Sequence, residues 1–143
     1  MKRNMFWGLT AVVLALVINV AFAQSATKSK ADVPFAFTVD QNSMSAGHYS
    51  IIEISDRTLQ IRNDDTKTSV AVIALREESL KPQSSRLVFH KYGDRYFLAE
   101  VWSESGGGSG SRGVEFPTSK WENEMRTAFK NTGGGTEVVV ALR

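Results

Sequence analysis

From Val33 to the C-terminus the chain runs in short segments where apolar and polar side chains alternate, separated by clusters of Gly, Asn, Asp and Ser. That is the pattern of antiparallel strands joined by tight turns. Seven such runs can be read: Val33 to Val39, His48 to Ile54, Thr58 to Arg62, Thr68 to Leu75, Arg86 to Tyr92, Arg95 to Ser103 and Glu137 to Leu142. Pro34 donates no ladder hydrogen bond, which assigns the first run to a sheet edge or a strand start. Ser45-Ala46-Gly47, Ser55-Asp56-Arg57 and Asn63-Asp64-Asp65-Thr66 turn the chain, the Asn and Asp side chains by bonding their own backbone. Arg76 to Ser84, with Pro82, reads as a polar connection.

The clearest pairing joins Arg86–Tyr92 to Arg95–Ser103 through the two-residue turn Gly93-Asp94. Counting outward from that turn pairs Lys91 with Tyr96, Phe89 with Leu98 and Leu87 with Glu100. On the other face it pairs His90 with Phe97, Val88 with Ala99 and Arg86 with Val101. Both faces are largely apolar, so the hairpin is expected at the centre of the fold, covered by a second sheet on one side and a helix on the other.

That helix is signalled by the capping box Ser119-Lys120-Trp121-Glu122, in which the serine hydroxyl satisfies an amide one turn in and the glutamate reaches back to the cap amide. Trp121, Met125, Ala128 and Phe129 follow as one apolar stripe, and Gly133-Gly134-Gly135 ends the helix. Val138, Val139 and Val140 read as a last strand buried on both faces. The sum is a mainly β protein: a small antiparallel barrel or a two-sheet sandwich of about seven strands, with one helix in the C-terminal half.

The pattern upstream of Val33 is of another kind. Lys2 and Arg3 precede an apolar run from Met5 to Phe22 and a small-residue exit at Ala21-Phe22-Ala23, the layout of a cleavable secretory signal over residues 1–23. Residues 24–32 are polar and read as a flexible leader, and 33–143 as a single β-rich domain. Export to the periplasm or the extracellular space is the expectation, without a stable membrane anchor once the signal is removed.

Composition changes this picture little. The 17 Lys and Arg exceed the 15 Asp and Glu, but Lys2 and Arg3 leave with the signal and the remainder is balanced. The basic pI is therefore no footprint of nucleic-acid binding. The chain has no cysteine, so neither a lipid anchor at the signal junction nor a disulfide framework is possible, and stability must come from apolar packing.

Candidate chemistry is sparse. Gly108 to Gly113 spells G-x-G-x-x-G, but Val114-Glu115-Phe116-Pro117 follows where a dinucleotide site needs a helix, so the segment reads as a Gly/Ser loop. His48 and His90 have no nucleophile motif beside them, and His90, in a strand opposite Phe97, reads as a satisfied, half-buried histidine. No ligand spacing points to a metal, and no cofactor or catalytic residue is assigned. Glu53, Glu100 and Glu115 have no spacing that selects a pair for glycoside hydrolysis. Phe89, Tyr92, Tyr96 and Trp102 crowd one hairpin. As aromatics their first role is core packing; Tyr92, Tyr96, Trp102 and Glu100 are the candidate ligand-binding set.

Val33-Pro34-Phe35-Ala36-Phe37, Ala46-Gly47-His48-Tyr49, Leu59 to Asn63 and the hairpin Leu87 to Leu98 together carry a resemblance. The chain resembles a group of short exported bacterial proteins of unknown function that share a V-P-F-x-F opening, a P-A-G-x-Y turn and an F-x-x-Y-G-D-x-Y-F-L hairpin. It departs from them at Ser45, where the group has proline, in the long glycine loop and in the valine-rich end. The resemblance implies compartment and fold and transfers no site. The expectation is an exported, non-enzymatic β module that binds a partner or ligand at the cell envelope. The alternatives are a small carboxylate-dependent hydrolase of an envelope or extracellular polymer, acting through Glu100 and Glu115, and an apolar-ligand carrier.

Overall fold

The computed structural model describes residues 28–79, 84–104 and 110–143. The expected signal, the start of the leader, Pro82 and most of the Gly/Ser loop lie outside them. The described chain forms strands β1 (Lys28–Val33), β2 (Phe37–Val39), β3 (Asn42–Met44), β4 (Gly47–Ser55), β5 (Thr58–Asn63), β6 (Ser69–Ile73), β7 (Leu75–Ser79), β8 (Arg86–Tyr92), β9 (Arg95–Glu104), β10 (Ser111–Glu115) and β11 (Thr136–Ala141), with helix α1 (Lys120–Phe129) between the last two. One sheet has the order β1-β4-β5-β6. The other has the order β11-β8-β9-β10-β7, with β2 beside β9 and β3 beside β2. The sheets do not close into a barrel, so of the two architectures read from the sequence the sandwich is the one formed.

The core lies between the sheets. Tyr49, Ile51 and Ile61 from the first sheet meet Leu87, Phe89, Leu98 and Val101 from the second, with Phe37 and Val39 filling one end. The rings of Phe35 and Phe37 stand edge-on to Phe89 at 5.1 and 5.2 Å, and Phe35 stacks on Tyr96 at 3.9 Å. The V-P-F-x-F stretch and the hairpin thus meet in the core.

Several expectations are corrected. The leader is ordered from Lys28, because β1 pairs along its whole length with β4, from Lys28 opposite Ile52 to Val33 opposite Gly47. Burial of Ala31 and Val33 supports that pairing. The run Val33–Val39 is not one strand: Pro34 breaks it, and β1 and β2 join different sheets. Thr68–Leu75 likewise divides at the buried Ala74, whose amide donates to the Arg57 carbonyl at 2.8 Å while the chain crosses from one sheet to the other. The part of the polar segment from Arg76 to Ser79 belongs to strand β7, and the stretch before Pro117 read as loop is strand β10, paired between β9 and β7.

The hairpin keeps the expected pairs from Tyr92 opposite Arg95 to Phe89 opposite Leu98, with Gly93 at φ 59° in the first turn position, where a II′ turn needs glycine. Beyond Leu98 the register shifts by one. Val88 faces Glu100, Leu87 faces Val101 and Arg86 faces Trp102. Ala99 is the extra residue of a β-bulge. The reason is physical: the unshifted register sets Glu100 on Leu87, in the core, and burying an unpaired carboxylate is costly. The bulge puts Val101 inside and Glu100 outside.

Helix α1 covers part of the outer face of the second sheet. Ser119 caps it as expected, its Oγ accepting from the Glu122 amide at 3.1 Å. The apolar stripe carries the packing only in part: Met125 and Phe129 are half-buried, with the Phe129 ring against Gly93, but Ala128 is exposed. Trp121 is 42% exposed, and the buried residue of the helix is Glu122. In β11 Val138 and Val140 are half-buried but Val139 points to solvent, since β11 is the last strand of its sheet and only one of its faces meets the core.

Candidate functional site

The four residues selected from sequence do not converge. Tyr92 is buried under the chain that follows the helix, 6.0 Å from the ring of Phe97, and burial holds its hydroxyl above the usual tyrosine range. Trp102 is buried at the far end of the hairpin. Its Nε1 donates to Glu100 Oε2 at 2.5 Å, and the Arg86 guanidinium lies 5.8 Å from its ring centre. Trp102 and Glu100 are therefore committed to each other. Tyr96, like Glu100, remains partly exposed; it is stacked on Phe35 and approached by the Lys91 ammonium at 5.3 Å.

Glu100 and Glu115 face each other across β9 and β10. Glu77 joins them: slight desolvation, a hydrogen bond with the Glu115 carboxyl and repulsion from Glu115 and Glu100 raise its pKa above the usual carboxylate range. Glu77 and Glu115 are exposed, so this trio stands on an open strand surface, not at the base of a cleft. Sharing a proton relieves the repulsion between such neighbours.

The two histidines are each held by carboxylates. His48 is exposed; its amide donates to Asp65 Oδ2 at 2.8 Å, its Nδ1 lies 3.0 Å from the same carboxylate, and its Nε2 is 3.6 Å from Asp32. Asp65 raises the His48 pKa, and His48 in turn lowers that of Asp65. His90 is half-buried, as read from its strand, with Nδ1 2.6 Å from Glu122 Oε1. That bond raises its pKa, burial opposes the rise, and Glu137 and Glu100 reinforce it. Sequence reasoning missed this pair because it assigned Glu122 to the cap amide. Among the described residues no three or more His, Asp or Glu are grouped as a metal would need, and no helix is long and apolar enough to cross a membrane.

Tyr96 instead belongs to a groove at one end of the sandwich. The β2–β3 hairpin, the β8–β9 turn and the start of α1 meet there, and Ala36, Phe37, Thr38, Ser43, Met44, Asp94, Arg95, Tyr96 and Trp121 surround about 230 Å³. Each element delivers its residue for a local reason. The II′ turn at Gly93 places Asp94 at the tip of the hairpin and Arg95 at the first position of β9. The cap at Ser119 fixes the first turn of α1 and with it Trp121. Phe37 and Met44 are cross-strand partners, buried as the floor. Among the described residues the side chains of Thr38, Ser43, Asp94 and Arg95 make no hydrogen bond or ion pair. The groove thus joins an exposed indole, a phenol and four uncommitted polar side chains. Tyr96 was legible from sequence. Trp121 was read as packing because its helical spacing matched a core stripe, and the exposure that distinguishes it is a tertiary property. No protein-family model, curated protein or solved structure matches this chain.

Proposed function

We propose that this chain is an exported, non-enzymatic β module that binds a ligand or partner at the cell envelope, in the groove between Tyr96 and Trp121. The observation that carries the reading is the exposed Trp121 above a floor of Phe37 and Met44, rimmed by uncommitted Asp94 and Arg95. Apolar walls with a few convergent polar groups are the general form of a binding site. Export rests on the basic, apolar and small-residue zones of residues 1–23 and on the resemblance to short exported bacterial proteins. On this reading the protein acts in the periplasm or outside the cell. A non-enzymatic role fits the commitments of the titratable groups: Glu100 is bonded to Trp102, His90 to Glu122 and His48 to Asp65.

Native mass spectrometry of the protein secreted through its own leader tests the reading, beside Ala36→Trp, which fills the groove from its rim. The parent is expected to carry an added mass, or to gain one from a solubilised bacterial envelope fraction, and Ala36→Trp to lose it. A mass retained equally by both proteins places binding elsewhere and overturns the groove. No added mass under either condition overturns the binding role.

A further inference from the structure

We infer that the groove takes a neutral saccharide, seating one sugar ring of a longer chain against Trp121 and Tyr96; this deepens, and rests on, the binding role proposed above.

Three properties of the groove select this class. The first is size. At about 230 Å³ it lies below the roughly 300–1,000 Å³ of sites that enclose a whole small molecule, so it holds one ring-sized unit, with the rest of the ligand running out over the rim. The second is the wall chemistry. A sugar ring has an apolar face of C–H groups and an equator of hydroxyls, and Trp and Tyr offer flat apolar surface with a polar edge, complementary to that division. Trp121, 42% exposed, presents such a surface without having to be uncovered first, and Tyr96, its ring occupied by Phe35 at 3.9 Å and the Lys91 ammonium at 5.3 Å, lines the groove beside it.

The third is the balance of donors and acceptors. Asp94 only accepts, Arg95 only donates, and Thr38 and Ser43 do either. A hydroxyl both donates and accepts, so a polyol can satisfy all four. The competing classes leave some unsatisfied. An apolar lipid chain desolvates Asp94 and Arg95 without partners, which is costly. A proline-rich peptide, the usual guest of aromatic grooves, has few N–H groups to offer Asp94. One carboxylate and one guanidinium cancel, so the rim selects for neither an anionic nor a cationic polymer.

The test uses the secreted protein, in which Trp102 is buried and Trp121 exposed, so emission at the solvent-exposed indole reads the groove. It is titrated with maltopentaose, cellopentaose, xylopentaose and chitopentaose, and separately with a proline-rich decapeptide. The expected result is a saturable change in tryptophan emission with at least one of the sugars. Asp94→Asn, which keeps the turn, weakens binding at least tenfold, and Trp121→Ala, at an exposed position, abolishes it by isothermal titration calorimetry. Trp102→Phe leaves the affinity unchanged. Binding of the decapeptide alone, competing at Trp121, overturns the saccharide and leaves the groove reading standing. Silence with all four sugars, or sugar binding indifferent to Trp121→Ala, overturns the inference. The envelope-fraction experiment reports separately on whether the groove binds at all.

Discussion

At the scale of single residues, the side chain with most at stake is Glu122, the one buried residue of a helix whose other side chains are half-buried or exposed. Its carboxylate lies 2.6 Å from His90 Nδ1, and a carboxylate removed from water needs a partner of this kind. Glu122 holds the His90 pKa above its ordinary value of 6.5. The ionic bond is therefore complete below pH 6.5 and is lost as pH rises through the raised value, so the stability it supplies falls toward alkaline pH. Glu122→Gln is expected to cost about 1.5–3 kcal/mol, as for a hydrogen bond to a charged group. It also returns His90 toward its ordinary pKa and flattens the fall in stability. Urea unfolding at pH 6 and pH 9, with an NMR titration of the His90 ring, checks all three. Asp65→Asn supplies the contrast: it lowers the pKa of the exposed His48 in the same titration while leaving His90 alone. The histidine's half-burial was legible in the strand pattern; its partner, 32 positions away, was not, because a capping box at Ser119 explained Glu122 locally.

At the scale of elements, β9 and β10 show why their residues sit where they do. The bulge at Ala99 sends Trp102 outward, where Gly113, its direct neighbour on β10, receives the ring. A Cβ at Gly113 falls 2.6 Å from Trp102 Cε3, closer than atoms pack, so Gly113→Ala must displace the indole and break its bond to Glu100. A loss of about 1–3 kcal/mol is expected, the usual cost of overpacking, with a changed near-ultraviolet circular dichroism spectrum from Trp102. An unchanged spectrum refutes that contact. The sequence pattern made β8, the start of β9, β4, β5 and the capped helix legible, since each has a clean period or a turn of fixed chemistry. It hid β7, where Arg76, Glu77 and Glu78 are all exposed and show no alternation, and β10, whose glycine against Trp102 looks the same in sequence as the glycines of the preceding loop. The bulge was hidden too, because counting from a turn assumes an unbroken ladder.

At the scale of the whole molecule, an open sandwich must protect its edges, since an unpaired strand offers its backbone groups to any other chain. The edges at β1, β11 and β7 each have a visible device. At β1, Lys30 exchanges backbone hydrogen bonds of 2.9 Å with Arg143, just past the end of β11, which ties one seam of the two sheets. The same bonds occupy the end of β11. At β7, Arg76, Glu77 and Glu78 supply the charges that discourage pairing. The edge at β6 reads Ser-Val-Ala-Val-Ile without a charge, and Ile73 is 71% exposed, with Ile54 and Leu75 also exposed. A short uncharged strand of high β-propensity is the sequence type that stacks with copies of itself. The protein is accordingly expected to self-associate as its concentration rises, and Ile73→Lys to suppress this. Ile73 points to solvent, so that substitution should change stability by no more than about 0.5 kcal/mol while placing a charge on the open edge. Sedimentation velocity across a hundredfold concentration range, paired with urea unfolding, separates the effects. Association that persists in Ile73→Lys puts the contact at another edge. Association lost in Ile73→Lys but kept in Val139→Lys, on the edge strand β11, assigns it to β6.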